Sequence, residues 1–154
     1  MPSWLDPKSV TPRLGSIYPP PFGEPLAGRE KRALGDALSL TQFGVNLVTL
    51  APGSWSSQRH WHANEDEFVY MLEGEVTLVT DQGEKILGPG MAAGFPAGSA
   101  NGHHLINRSD RPALYLEVGT RAQTEEAQYS DIDMMARKVD GRFVFTRRNG
   151  EPYK

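Results

Sequence analysis

Arg59-His60-Trp61-His62-Ala63-Asn64-Glu65-Asp66-Glu67-Phe68-Val69-Tyr70-Met71-Leu72-Glu73-Gly74 opens with two histidines one residue apart and closes with an aromatic and aliphatic stretch ended by glycine. Side chains two apart in a strand share a face, so His60 and His62 point to one side and Trp61, as packing, to the other. Glu67 has the wrong parity to join them in an uninterrupted strand. The polar segment Ala63-Asn64-Glu65-Asp66 supplies a turn that resets the register. With Glu67 inward, Val69 and Met71 follow it and Phe68, Tyr70 and Leu72 cover the outer face. A strand apolar on both faces suits a barrel that is also covered outside.

Outward from this run, short apolar segments are broken by turn signals at Pro52-Gly53, Asp81-Gln82-Gly83, Gly88-Pro89-Gly90, Pro96-Ala97-Gly98 and Arg108-Ser109-Asp110. Strands at roughly ten-residue spacing with such turns predict an all-β sandwich or barrel. The strands are read at 45–50, 67–72, 75–80, 84–87, 91–95, 103–107 and 113–118. Residues 1–25 hold Pro2, Pro7, Pro12, Pro19, Pro20, Pro21 and Pro25, whose fixed φ and missing N–H predict an extended arm. After the barrel core at about 40–120, the tail 121–154 is expected to hold a helical turn at 124–128. It also holds a hairpin joining 135–139 to 143–146 through Val139-Asp140-Gly141-Arg142, and it is expected to pack on the barrel or on a partner subunit.

The chain has 154 residues, enough for a single domain that buries roughly two thirds of its unfolded surface. Its net charge of -3 offers no basic face, so nucleic acid is not an expected partner. The sequence shows neither a leader pattern nor a stretch of roughly 20 apolar residues, so no membrane partner and a cytoplasmic location are expected. Cysteine is absent, which excludes disulfides and thiolate ligands and leaves imidazole and carboxylate as the strong side-chain ligands.

All 4 histidines fall in two pairs, His60/His62 and His103/His104. Two imidazoles on one strand face, a glutamate and a second pair make a set for one divalent ion, completed by His103 or His104. Glu65 and Asp66 read as solvated turn carboxylates, either of which replaces Glu67 if the turn falls differently.

The stretch from Gly53 to Asn107 resembles the two signature motifs of the cupin superfamily. Gly53, His60, His62, Glu67 and Gly74 stand in the first, and Gly90, Pro96-Ala97-Gly98, His103 and Asn107 in the second. Both internal gaps, Gly53 to His60 and Gly98 to His103, are slightly longer than in the commonest form. The commonest spacing after Gly98 puts Asn101 in the last ligand position; spacing back from Asn107 puts His103 there. Parity agrees with His103, which shares a face with Leu105 and Asn107, and leaves His104 as a wall residue or as one that supports the ligands from behind. The resemblance is to short, single-domain bacterial cupins described as sugar-phosphate-isomerase-like. It implies a double-stranded β-helix (jelly-roll barrel), a metal held by His60, His62, Glu67 and His103, a small-molecule ligand in the barrel and a homodimer.

Three imidazoles and one carboxylate leave an octahedral ion with two open positions, a Lewis acid with room for a bidentate ligand. With Mn, Zn or Ni this fits isomerisation of an oxygen-rich metabolite, and with Fe it fits a dioxygenase; a closed coordination sphere would instead mark a structural or binding site. Arg59, Arg108 and Arg111 are the cations nearest the motifs for a phosphate, with the latter two in a solvated loop. Glu65, Asp66, Tyr70 and His104 are the candidate bases. Arg137, Lys138, Arg142, Arg147 and Arg148 read as a solvated basic surface.

Overall fold

Alternating apolar residues pair into antiparallel strands throughout the computed structural model, which describes residues 3–153. Met1 and Pro2 of the arm, and Lys154, lie outside them. In chain order the strands are β1 (Arg13–Leu14), β2 (Arg29–Ala33), β3 (Phe43–Leu50), β4 (His60–His62), β5 (Glu67–Glu73), β6 (Val76–Thr80) and β7 (Gly83–Leu87). Then follow β8 (Ala92–Phe95), β9 (His104–Ile106), β10 (Ala113–Thr120), β11 (Glu126–Tyr129), β12 (Met135–Val139) and β13 (Arg142–Thr146). One sheet runs β1-β2-β3-β10-β5-β8, and two smaller sheets run β7-β6-β9 and β13-β12-β11-β4. The smaller sheets are joined by a backbone bridge between His60 and His103.

The parity of β5 is as the sequence predicts. Val69 and Met71 are buried with Val48, Leu50, Val76, Leu105 and Tyr115, while Phe68, Tyr70 and Leu72 stay partly exposed outside. At the end of β5, Gly74 has φ +70, and a Cβ there would lie 2.6 Å from the Pro112 carbonyl oxygen. Only glycine fits that turn.

Two expectations fail and one strand goes unread. Residues 124–128 are not a helical turn. Glu126–Tyr129 forms β11, because its backbone pairs on one side with His60–His62 and on the other with β12, and these ladders outweigh the local helix preference of Glu and Ala. The arm is not simply extended: it holds 3-10 turns at Pro7–Ser9 and Glu24–Leu26, each with proline at its start, and edge strand β1. Tyr18 and Phe22 of the arm pack against Tyr129, Phe145 and Tyr153 of the tail, so arm and tail form a second apolar cluster. Finally, Arg29–Ala33 forms β2, which a charged sequence without alternation does not reveal, beside the short helix Leu34–Ala37. The tail hairpin is as read, with Asp140 and Gly141 both at positive φ in its turn.

Gly74→Ala is expected to cost about 1–3 kcal/mol in chemical denaturation, from the left-handed φ and the clash with backbone together. An unchanged midpoint would show that the turn relaxes freely.

Candidate metal centre

Strand β4 is held on one side by β11 and on the other by the two-way bond between His60 and His103, N–H to carbonyl at 3.1 and 2.9 Å. That bond puts the two histidine runs in register and turns their rings inward together. His60 Nε2 lies 3.1 Å from His62 Nε2 and 3.2 Å from Glu67 Oε1, and His62 Nε2 also contacts that oxygen. His103 Nε2 lies 2.8 Å from Glu67 Oε2. Phe95 stacks on the His103 ring at 3.6 Å between centroids and fixes its plane.

This donor set fits a cation. The His60 Nδ1–H donates to the Gln58 carbonyl at 2.8 Å, which leaves Nε2 of the neutral ring as a bare lone pair facing His62 Nε2. Two ring nitrogens so close need a proton or an ion between them. The ligand atoms of His60, His62 and Glu67 lie within 4.8 Å of one another. Burial opposes ionisation of Glu67, yet the contacts from His103, His60 and His62 hold its carboxyl well below the usual range. Burial alone would lower His62, but the Glu67 contact leaves it raised, whereas burial dominates at His103 and lowers it.

His104 faces elsewhere. Its Nδ1–H donates to the Ser57 carbonyl at 2.9 Å and its ring meets Trp55 edge-on, so it packs outside the cavity lining. Asn101 is bonded to Asp81 N–H and Gln82 in the β6–β7 turn, and Asn107 is fully satisfied by Leu50, Arg111 and Ser109. Neither reaches the histidines.

The turn between His62 and Glu67 is held by acids. Glu125 Oε1 accepts the backbone N–H groups of Ala63 and Asn64, each at 3.0 Å. Asp66 is exposed and accepts the Ala97 N–H at 2.7 Å, as a turn carboxylate should. Glu65 is not solvated as expected: it is 8% exposed and accepts the Ala122 N–H and the Lys138 ammonium, at 2.9 and 2.8 Å. His62, Glu65 and Glu125 form a second group of metal-ligand type, but Lys138 already supplies the positive charge there.

A cavity of about 690 Å³ opens above the histidines, with Tyr18, Tyr115, Tyr129, Phe143 and Phe145 among its walls. Its cations are Arg13, Arg29, Lys31, Arg121 and Lys138, none of which the sequence assigned to the site, because they come from the arm, β2, the end of β10 and β12. No sequence spacing links them to the motifs. Arg59 is a correction in the other direction: it binds Asp131, Asp81 and the Gly102 carbonyl and does not line the cavity. Arg108 pairs with Glu84 at the surface, and Arg111 also lies outside the cavity lining. Of the four candidate bases, Glu65 and Asp66 line the cavity, while Tyr70 and His104 do not. Of the tail cations, Arg137, Arg142, Arg147 and Arg148 are exposed as read from the sequence, while Lys138 lines the cavity.

Residues 46–119 match the Cupin domain family. The chain is similar to the crystal structure of a cupin-superfamily sugar phosphate isomerase from Silicibacter pomeroyi, at 51% identity and TM-score 0.94 over 98% of this chain and 96% of that one. It is also similar to a putative sugar phosphate isomerase from Acidithiobacillus ferrooxidans, at 28% identity and TM-score 0.73 over 79% and 77%. A polyketide cyclase from Streptomyces resistomycificus, at 21% identity and TM-score 0.61 over 78% and 80%, shares the fold. No curated protein matches the chain.

Arg59→Ala would strand Asp131 and Asp81 and release the backbone at Gly102. Its expected cost is about 1–3 kcal/mol of stability by denaturant unfolding. A loss below that range would mean the guanidinium is dispensable to the frame.

Proposed function

Because this chain belongs to the cupin superfamily, we propose that it is a mononuclear metal enzyme acting on a small oxygen-rich metabolite, with isomerisation of a phosphorylated sugar as its reaction class. His60, His62, Glu67 and His103 hold a divalent ion in this reading. The observation that carries it is the convergence of three imidazole Nε2 atoms on one carboxylate at the floor of an open cavity of about 690 Å³.

A bound divalent ion would polarise a substrate carbonyl as a Lewis acid. The chain's own residues would do the rest. His60, fixed through the Gln58 carbonyl, and His103, fixed by Phe95, keep their Nε2 atoms aimed at one point before anything binds. Arg13 and Arg121 share Asp36 at the cavity wall, so two guanidinium groups face one carboxylate and a substrate phosphate would restore the balance. Burial raises the Tyr18 and Tyr129 hydroxyls; Tyr18 accepts the Tyr129 O–H and the Gln58 N–H, which leaves its own proton to donate to a substrate oxygen. The relative from Silicibacter pomeroyi supports the sugar phosphate class by its name.

The test is elemental analysis of untagged protein beside His62→Ala, followed by turnover of a hydroxy-ketone phosphate in deuterated water. About one ion per chain is expected in the wild type and a loss of roughly tenfold or more in affinity in the variant, with deuterium entering beside the carbonyl only in loaded wild type. A wild type that takes up no divalent ion sinks the reading, and loading without exchange or turnover sinks the isomerase class.

The reading includes a homodimer through the partly exposed face of Phe68, Tyr70 and Leu72. Light scattering should return twice the chain mass of 17.0 kDa, and Tyr70→Glu should shift it towards one chain.

A further inference from the structure

His62 and His103 both bury an Nδ1 without a hydrogen-bond partner among the described residues, but of the two only His62 has carboxylates standing behind that nitrogen. His60 Nδ1–H already has the Gln58 carbonyl. His62 Nδ1 is buried, has no hydrogen-bond partner among the described residues, and lies 3.9 Å from both Glu65 Oε1 and Glu125 Oε2. An imidazole that binds a cation through Nε2 carries its proton on Nδ1, and that proton needs an acceptor when water is excluded.

The two carboxylates are not equivalent. Glu125 is committed to backbone: its Oε1 takes the N–H groups of Ala63, Asn64 and Glu126, and its Oε2 takes Asn64 again at 3.3 Å. Glu65 Oε2 is likewise filled, by Ala122 and Lys138. Glu65 Oε1 accepts no hydrogen bond among the described residues and lies 3.9 Å from His62 Nδ1. It is the acceptor with capacity to spare.

We infer that Glu65, clamped by Lys138 and the Ala122 N–H, is the positioning residue that receives the His62 Nδ1–H and so keeps His62 Nε2 bare for the ion. The inference rests on the metal reading above. It extends the site beyond the matched segment 46–119, because Ala122 and Lys138 belong to the tail. A shift of less than one ångström at either side chain would close the 3.9 Å gap to hydrogen-bond range.

Glu65→Gln discriminates sharply, because its amide is not free to choose an orientation. The Ala122 N–H and the Lys138 ammonium are both donors, so they take the amide oxygen and turn the NH2 towards His62. Nδ1 must then accept, which moves the ring proton to Nε2, the atom the ion needs.

The experiment uses the full chain with Zn²⁺ as a diamagnetic probe, reading affinity by chelator competition and the His62 ring protons by two-bond ¹H–¹⁵N spectra. In loaded wild type the Nδ1–H is expected at low field and protected from exchange. Glu65→Gln is expected to weaken Zn²⁺ binding by about 10–100-fold and to remove that signal. A folded Glu65→Gln that binds within about twofold of wild type and keeps the signal overturns the inference. So does a loaded wild type whose His62 Nδ1–H exchanges rapidly, a readout that needs no variant to fold. Wild type that takes up no Zn²⁺ defeats the metal reading and this inference together, whereas loading that ignores Glu65→Gln defeats this one alone.

Discussion

Glu125 Oε1 accepts the backbone N–H groups of Ala63 and Asn64, and the arrangement of the cavity floor depends on that contact. His62 and Glu67 stand on opposite faces of any straight strand, so the chain between them has to break its pleat. Breaking it leaves N–H groups without ladder partners, and buried ones must find acceptors. Glu125 takes the Asn64 N–H and shares that of Ala63 with the Glu126 carbonyl, Asp66 anchors the far side of the turn through Ala97, and the Thr120 hydroxyl accepts the Asp66 N–H. With the turn so held, Glu67 re-enters the sheet facing the histidines and pairs with Gly119 and Phe95 on its two sides.

The second constraint is charge. A buried carboxylate is costly unless partnered, and Glu67 has three imidazoles around it. Around it Lys138 pairs with Glu65 and Lys31 with Glu117, while Arg13 and Arg121 share the single carboxylate of Asp36. Arg29 spends its guanidinium on the carbonyls of Gly15 and Ser56, tying the arm to the loop before β4. At the buried Lys138–Glu65 pair, loss of either partner would leave a charge in a place water reaches poorly.

Arm and tail are structural parts of this site rather than appendages. Tyr18 and Phe22 interlock with the tail aromatics, β11 lies beside the histidine strand, and Glu125, Lys138 and Phe143 all come from beyond the barrel core. The tail thus supplies both the acid that holds the turn and part of the cavity wall.

The sequence alone determined what is local and periodic. Two-residue parity put His60 with His62 and Val69 with Met71, turn chemistry located the barrel strands, and the spacing of the two histidine pairs singled out the four side chains that the fold brings together. Spacing back from Asn107 in the cupin resemblance favoured His103 over His104, parity agreed, and the fold sets His103 beside Glu67. Tertiary structure decided everything that depends on residues remote in the chain. A strand of Glu126–Tyr129 exists because two neighbours offer hydrogen bonds, although its residues favour helix. Glu65 is buried, and Arg59 is used up away from the cavity, because of partners at Lys138, Asp131 and Asp81 that no spacing rule connects to them. Periodicity reports which face a side chain takes, but the energy of a charge is set by what stands opposite, and that is fixed only when the sheets close.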